Sequence, residues 1–166
     1  MQFVVDSPHQ HSGKTTETAR GEKKMELKTL GIEDYDAVMA LWRRSGLPSR
    51  PRGRDSREAF ARQFENGAQT VLGLKEEGQL IGVIIATHDG RKGWINRLAV
   101  DPDRRRQGHA KRLIVAAEEA LRAQGIHVIA ALVEKHNAAS LTLFEQAGYL
   151  RADYVCYLSK RDSVEA

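Results

Sequence analysis

One helix, together with the stretches on either side of it, constrains this chain more than any other feature. Ala110, Leu113, Ile114, Ala117 and Leu121 recur at helical spacing, Glu118 and Glu119 face solvent, and Gly125 ends the run. A strand-like stretch, Lys92 to Val100, precedes the helix, and an apolar one of buried type, Ile126 to Val133, follows it. A helix that crosses over between two strands predicts parallel pairing, and helices interleaved with strands predict an α/β layer structure.

The rest of the chain fits around this unit. Glu26 to Leu30 reads as a first strand. Ile32 to Ser45 places Tyr35, Val38, Met39 and Trp42 on one helical face and stops at Gly46 and Pro48. Ser56 is placed to cap a second helix with Ala59, Phe60 and Phe64 on its apolar face, ending near Gly67. Gln69 to Lys75 and Gln79 to His88 form a hairpin about Glu76-Glu77-Gly78. Asn137 opens a short helix that carries Leu141 and Phe144 and stops at Gly148. Tyr149 to Leu150 and Tyr154 to Leu158 are expected as closing strands, with Cys156 a buried core thiol between Val155 and Tyr157. The expected order is β-α-α-β-β-β-α-β-α-β-β, with no internal repeat.

Composition narrows the function classes. A chain of 166 residues is one domain in size and needs no metal or disulfide staple. One cysteine excludes a disulfide framework and a zinc site made of several thiolates, and is compatible with a reducing compartment, here expected to be the cytoplasm. The longest apolar run, Leu80 to Ala86, is far short of a membrane span, and Asp6 interrupts the apolar start before it can form a signal-peptide core. Residues 1 to 24 lack amphipathic periodicity and are expected to be a disordered leader to a domain over 25 to 166. Within that leader Ser12-Gly13-Lys14-Thr15 imitates the end of a phosphate-binding P-loop, but the required earlier glycine is Pro8. His9 and His11 have no further ligand with them and make a poor metal site, so no metal is expected.

The net charge of +4 matters only where bases cluster, at Arg43 to Arg57 and at Arg104 to Arg112. The second cluster is the informative one. A strand ends at Val100, Asp101-Pro102-Asp103 turns the chain, and Arg105-Arg106-Gln107-Gly108-His109-Ala110 heads the long helix. A helix start offers free N–H groups and about half a positive charge, and Gly108 with the small Ala110 lets a bulky anion approach the backbone. These features together point to a phosphate or diphosphate site, although a solvated basic helix start has the same composition. Nucleic acid is the weaker alternative, because no helix-turn-helix, zinc finger or stacking-aromatic motif accompanies the charge.

Two blocks resemble the GNAT N-acetyltransferase superfamily. Arg105-x-x-Gly108-x-Ala110 after Leu98-Ala99-Val100-Asp101-Pro102 is similar to its acyl-CoA signature, and Asn137-Ala138-Ala139-Ser140-Leu141-Thr142-Leu143-Phe144-Glu145-Gln146-Ala147-Gly148-Tyr149 is similar to its late helix. The likeness runs over about residues 25 to 160. It implies a single domain with a mixed, strongly twisted central sheet and helices on both faces. It also implies direct acetyl transfer from acetyl-CoA, as co-substrate, to a primary amine of a small molecule or a peptide or protein N-terminus. Backbone amides of Arg105, Arg106, Gln107, Gly108, His109 and Ala110 would hold the CoA pyrophosphate, and Leu98, Ala99 and Val100 would meet the pantetheine arm. Asn137 matches a residue that contacts the pantetheine end, and an Asn at a helix start also caps it whatever the function.

The chain departs from the family pattern in its catalytic groups. Phe144 stands where many relatives carry a general-acid tyrosine, and the strand Trp94 to Val100 has no carboxylate. Glu134 and His136 are the nearest replacements for proton transfer; Tyr149, Tyr154 and Tyr157 are further donors, although aromatics in terminal strands more often serve packing. These gaps leave a second class open, an acyl-CoA-binding module without efficient turnover. By analogy, the acceptor side would be formed by the two early helices and the basic loop Leu47 to Arg54. The acceptor amine and the oligomeric state, a homodimer included, are not written in the sequence.

Overall fold

Alternation of apolar residues along the strands divides the interior into two layers. In a computed structural model, which describes residues 23–67 and 69–163, five strands form one sheet in the order β1-β2-β3-β4-β5. These are β1 (Met25–Thr29), β2 (Gln69–Glu76), β3 (Gln79–His88), β4 (Gly93–Val100) and β5 (Ile129–Ala131). The first four are antiparallel neighbours, and β4 and β5 run parallel across the helical crossover. The β2–β3 turn places Glu77 and Gly78 both at positive φ, 50° and 84°, as a two-residue primed turn demands.

Helices cover both faces. On one side lie α1 (Tyr35–Ser45), entered through a single 3-10 turn at Ile32–Asp34, and α2 (Arg57–Glu65). They bury Val38, Leu41, Trp42 and Phe60 against Val71, Leu80, Val83, Ile85 and Ala99. Phe60 meets the rings of Tyr35, Trp42 and Phe64 edge to face at 5.5, 6.3 and 5.3 Å. On the other side lie α3 (His109–Ala123) and α4 (Ala138–Gln146). There Leu113, Ile114, Ala117 and Leu121 of α3 are fully buried against Leu72, Leu74, Ile81, Ile84 and Ile95. Each large aliphatic side chain so buried contributes about 1.5–3 kcal/mol, which is why the α3 pattern is the firmest signal in the chain. Glycine makes this contact close: a Cβ at Gly82 would lie 2.9 Å from Leu113, and one at Gly93 2.8 Å from Leu121.

A bulge in β4 decides what faces which layer. Ile85 pairs with Arg97 but Ala86 pairs with Ile95, so Asn96 is the extra residue. Ile95 packs on the α3 side, and strict alternation would send Arg97 there too. The extra residue reverses the phase, so Arg97 lies against Trp42 on the α1/α2 side while Leu98 and Val100 pack on the α3 side.

Three expectations are corrected. The strand expected over 126 to 133 is paired only over Ile129–Ala131; Ile126 is buried as part of the connection, and Leu132 is exposed. The closing strands expected at Tyr149 to Leu150 and Tyr154 to Leu158 are not formed: Leu150, Tyr154 and Leu158 are 95%, 90% and 88% exposed. Strand character needs a paired neighbour, and this segment instead bonds to itself, Val155 N–H donating to Ala152 O at 3.1 Å and Arg151 to Asp153 at 2.9 Å. Cys156 is consequently exposed, not a core thiol. Residues 1 to 22 of the expected leader lie outside the described residues, with the P-loop imitation and both histidines among them. Its last two residues are anchored: Lys23 reaches Glu76 at 3.3 Å, and Glu77 N–H donates to Lys24 O.

Candidate functional site

Parallel β4 and β5 share only the pairs Gly93–Ile129, Trp94–Ala130 and Ile95–Ala131. Beyond them β4 continues for five residues, Asn96 to Val100, with no strand on that side among the described residues. The sheet is therefore split between the C-terminal ends of β4 and β5. One end of β4 leads to the head of α3, and β5 leads to Leu132, Val133 and Glu134.

The head of α3 is shaped by two left-handed residues. Arg106 has φ +64° and Gly108, the N-cap of α3, φ +80°. A side chain at φ > 0 stores on the order of 1–3 kcal/mol of strain, and such strain concentrates at ligand sites. The space above Gly108 is open, with nothing beyond its own chain neighbours and the adjoining helix backbone within 4 Å of where a Cβ would stand. No acidic residue occupies the first turn of α3, whose free N–H groups and dipole favour an anion. His109 adds a buried Nε2 with no hydrogen-bond partner.

The surrounding arginines do not all face this anion cradle. Arg104 is bonded to Glu76 at 2.8 Å, which holds the Glu76 carboxyl below its ordinary range. Arg105 turns back to donate to Val100 O at 3.3 Å and Ser45 O at 3.0 Å. Ser45 Oγ also donates to Val100 O at 3.2 Å, and Arg44 pairs with the buried Asp101 at 3.1 Å. The C-terminus of α1 is thus fastened to the loop that presents the cradle. Arg106, Lys111 and Arg112 supply the remaining local positive charge.

On the opposite face lies a cleft of 810 Å³ between the α1–α2 loop, the β4 bulge and the chain after β5. Its apolar floor includes Trp42, Leu47, Phe60 and Ile85, and its walls include Gln63, Gln69, Thr87 and Asn96. The α1–α2 loop is tied down at Asp55, while Pro51, Arg52 and Arg54 remain exposed. Asp55, 7% exposed, accepts two bonds from Arg97 at 2.9 and 3.1 Å and one from the Arg50 N–H at 2.7 Å. Tyr35 donates its hydroxyl proton to Asp55 O at 2.8 Å, and Arg97 donates to Pro48 O as well. The guanidinium of Arg97 stacks 4.5 Å from the Trp42 ring centre. Burial pushes the Arg97 pKa down, against the opposing pull of Asp55.

The expected site residues divide between these two openings. Leu98, Ala99 and Val100 lie on the unpaired edge of β4, and Arg105 to Ala110 form the loop and first residues that lead into α3. Asn137 caps α4, its side chain accepting from Ser140 N–H at 3.1 Å. Glu134 lines the cleft, and His136 stands 3.1 Å from it, the two side chains 77% and 84% exposed. Phe144 is buried in the core of the α3 layer against Tyr149, ring centres 5.0 Å apart. Tyr149 does not line the cleft; burial and then the charge of Glu118 hold its hydroxyl protonated, well above the usual phenol range. Tyr157 lines the cleft, whereas Tyr154 does not. Sequence reasoning missed Asp55 and Arg97. Their signals were a lone acid among Arg50, Arg52, Arg54 and Arg57, and a lone charge within the strand Trp94 to Val100.

Comparison with known proteins gives consistent relatives. The model of the acetyltransferase (GNAT) family matches residues 35–149. An acetyltransferase of Sodalis glossinidius is 31% identical over 137 residues, which are 82% of this chain and 95% of that protein. Among solved structures, the PaiA N-acetyltransferase from Thermoplasma acidophilum in complex with coenzyme A superposes with a TM-score of 0.65 at 23% identity, over 75% of this chain and 88% of that one. An aminoglycoside N-acetyltransferase in complex with CoA superposes with a TM-score of 0.70 at 20% identity, over 87% and 99%.

Proposed function

Because the chain belongs to the acetyltransferase (GNAT) family, we propose that it is an acetyl-CoA-dependent enzyme that moves an acetyl group directly from the thioester to a primary amine. The observation that carries this reading is that the free end of β4 leads into the start of α3, while the cleft on the other face is lined by Asn96 and Arg97 on one side of the split and by Leu132, Val133 and Glu134 on the other. When bound, acetyl-CoA supplies an acetyl thioester. The N–H groups of Arg106 to Ala110 hold its pyrophosphate, and Leu98 to Val100 offer main-chain hydrogen bonds along the split. The amides of Leu98 to Val100 would also serve the oxygen on which charge develops.

An amine of pKa about 10 arrives protonated at neutral pH and must lose a proton before it can attack. Glu134 takes that proton directly or through water, with His136 beside it. Phe144 cannot donate a proton to the departing thiolate, and Tyr157 is the phenol that lines the cleft. The buried Phe144 favours a second reading, a domain that binds acyl-CoA without efficient turnover.

The test is the thermal midpoint with acetyl-CoA, with free CoA, and with ATP as the anionic control. Ligand at a hundred times its dissociation constant stabilises the fold by about 2.7 kcal/mol. A shift with both CoA species and little with ATP supports the site; thiol release with an amine panel then separates enzyme from binding module. No shift at saturating ligand defeats both readings.

A further inference from the structure

The two openings differ in the groups they present. The cradle offers backbone N–H groups, whereas two residues that line the cleft carry buried side-chain nitrogens with no hydrogen-bond partner. Trp42 Nε1 and Gln69 Nε2 are both buried and unpartnered, and both residues line the cleft. Trp42 itself is 1% exposed. A buried donor left unmade is costly, so such groups mark either strain or the place of a ligand atom. Two of them in one cleft point to a ligand that brings oxygen.

Charge gives the same direction independently. The cleft is lined by Arg54, Arg97 and Arg161 against Asp55 and Glu134. The Asp55 carboxylate is already occupied by Arg97 and the Arg50 N–H, so it is not available to a cationic acceptor. That leaves Glu134, at the exposed rim, as the carboxylate beside which an ammonium can settle. With Asp55 and Arg97 paired to each other, the other charges that line the cleft are the exposed guanidinium groups of Arg54 and Arg161 and the single carboxylate of Glu134. The floor of Trp42, Leu47, Phe60 and Ile85 is apolar.

We propose that the acceptor is an amine that carries its own carboxylate on an apolar body, in the manner of an aliphatic amino acid or a short peptide. The amine lies toward Glu134, the carboxylate toward Trp42 Nε1, Gln69 Nε2 and Arg161, and the apolar part on the floor between them. This rests on the transferase reading and names its substrate class.

Product binding tests the class without requiring turnover. N-acetyl-leucine and N-acetyl-leucinamide differ only in carboxylate against carboxamide, and either is titrated into the full chain with and without CoA while tryptophan fluorescence is followed. The acid is expected to bind about tenfold more tightly than the amide, the effect of one hydrogen bond to a charged group. Gln69→Leu and, separately, Arg161→Gln are expected to narrow that ratio to about threefold or less, with each variant's thermal midpoint showing that it is folded. Acid binding that is undetectable or no tighter than the amide overturns the proposal, as does kanamycin, a polycationic amine, binding more tightly than the acid. Failure of the transferase reading is seen elsewhere, as the absence of any midpoint shift with acetyl-CoA.

Discussion

On the α3 face of the sheet, the anion cradle comes from one run of chain, Val100 to Ala110, whereas the α1/α2 face assembles its cleft from residues as distant as Trp42 and Arg161. The cradle is built from a strand end, two left-handed residues and a helix start that adjoin in sequence, and α1 braces it through Arg44 and Ser45. The cleft needs a loop held against a strand more than forty residues away, and a buried ion pair between Asp55 and Arg97 holds it. A local site is robust because its parts are covalent neighbours. A site built from distant parts depends on whichever contact ties them together, and here that contact is charged and buried.

The largest expected effect breaks that tie. Arg97→Ala leaves Asp55 as an unpaired buried carboxylate and is expected to destabilise the fold by about 3–5 kcal/mol, measured by urea unfolding. Arg97→Lys should recover only part of this, because an ammonium keeps the charge but cannot span both carboxylate oxygens and Pro48 O. If the Arg97→Ala protein that remains folded also loses its acetyl-CoA shift, the two faces are not independent.

Gly108→Glu attacks the other side of the comparison. It places a carboxylate at the cradle on a backbone of φ +80°, and the affinity for acetyl-CoA should fall about a hundredfold or more. Titration calorimetry reads this directly, and unchanged affinity would remove the cradle from the site. Next in size is Glu134→Gln, expected to reduce turnover about ten- to a hundredfold near pH 7. The loss should shrink as pH approaches about 10, where the amine sheds its proton unaided. A uniform loss at all pH values would show that Glu134 is not the base.

The smallest effect concerns the entry to α2 and so the edge of the cleft. Ser56 accepts from Ala59 N–H at 3.2 Å, and Ser56→Ala should cost about 1 kcal/mol. For a chain of this size that is a fall of about 2–4 °C in the thermal midpoint, with the acetyl-CoA affinity unchanged.

Legibility in the sequence follows the same division. The hairpin at Glu77-Gly78, the caps at Ser56 and Asn137 and the buried face of α3 were all visible, because each depends on residues within a few positions of one another. The phase reversal at Asn96 was not, since a bulge exists only relative to the partner strand. Asp55 stands among arginines, and nothing local distinguishes an acid that faces water from one that closes on Arg97. The closing strands were over-read for the complementary reason. Apolar alternation states a capacity to pair, and at Tyr149 to Leu158 the structure supplies no neighbouring strand to satisfy it.

The sequence by itself determined the crossover, the layer order through α4 and the turn from β4 into the start of α3 at Arg105 to Ala110, because hydrophobic period, turn residues and a helix start act over short separations. Tertiary structure alone decided that Arg97 turns toward Trp42, that Asp55 is spent on it, and that Trp42 and Gln69 line the cleft with buried nitrogens that have no hydrogen-bond partner. Those facts depend on which side of a sheet a side chain emerges from and on what a distant segment brings opposite it. Neither is encoded in spacing along the chain.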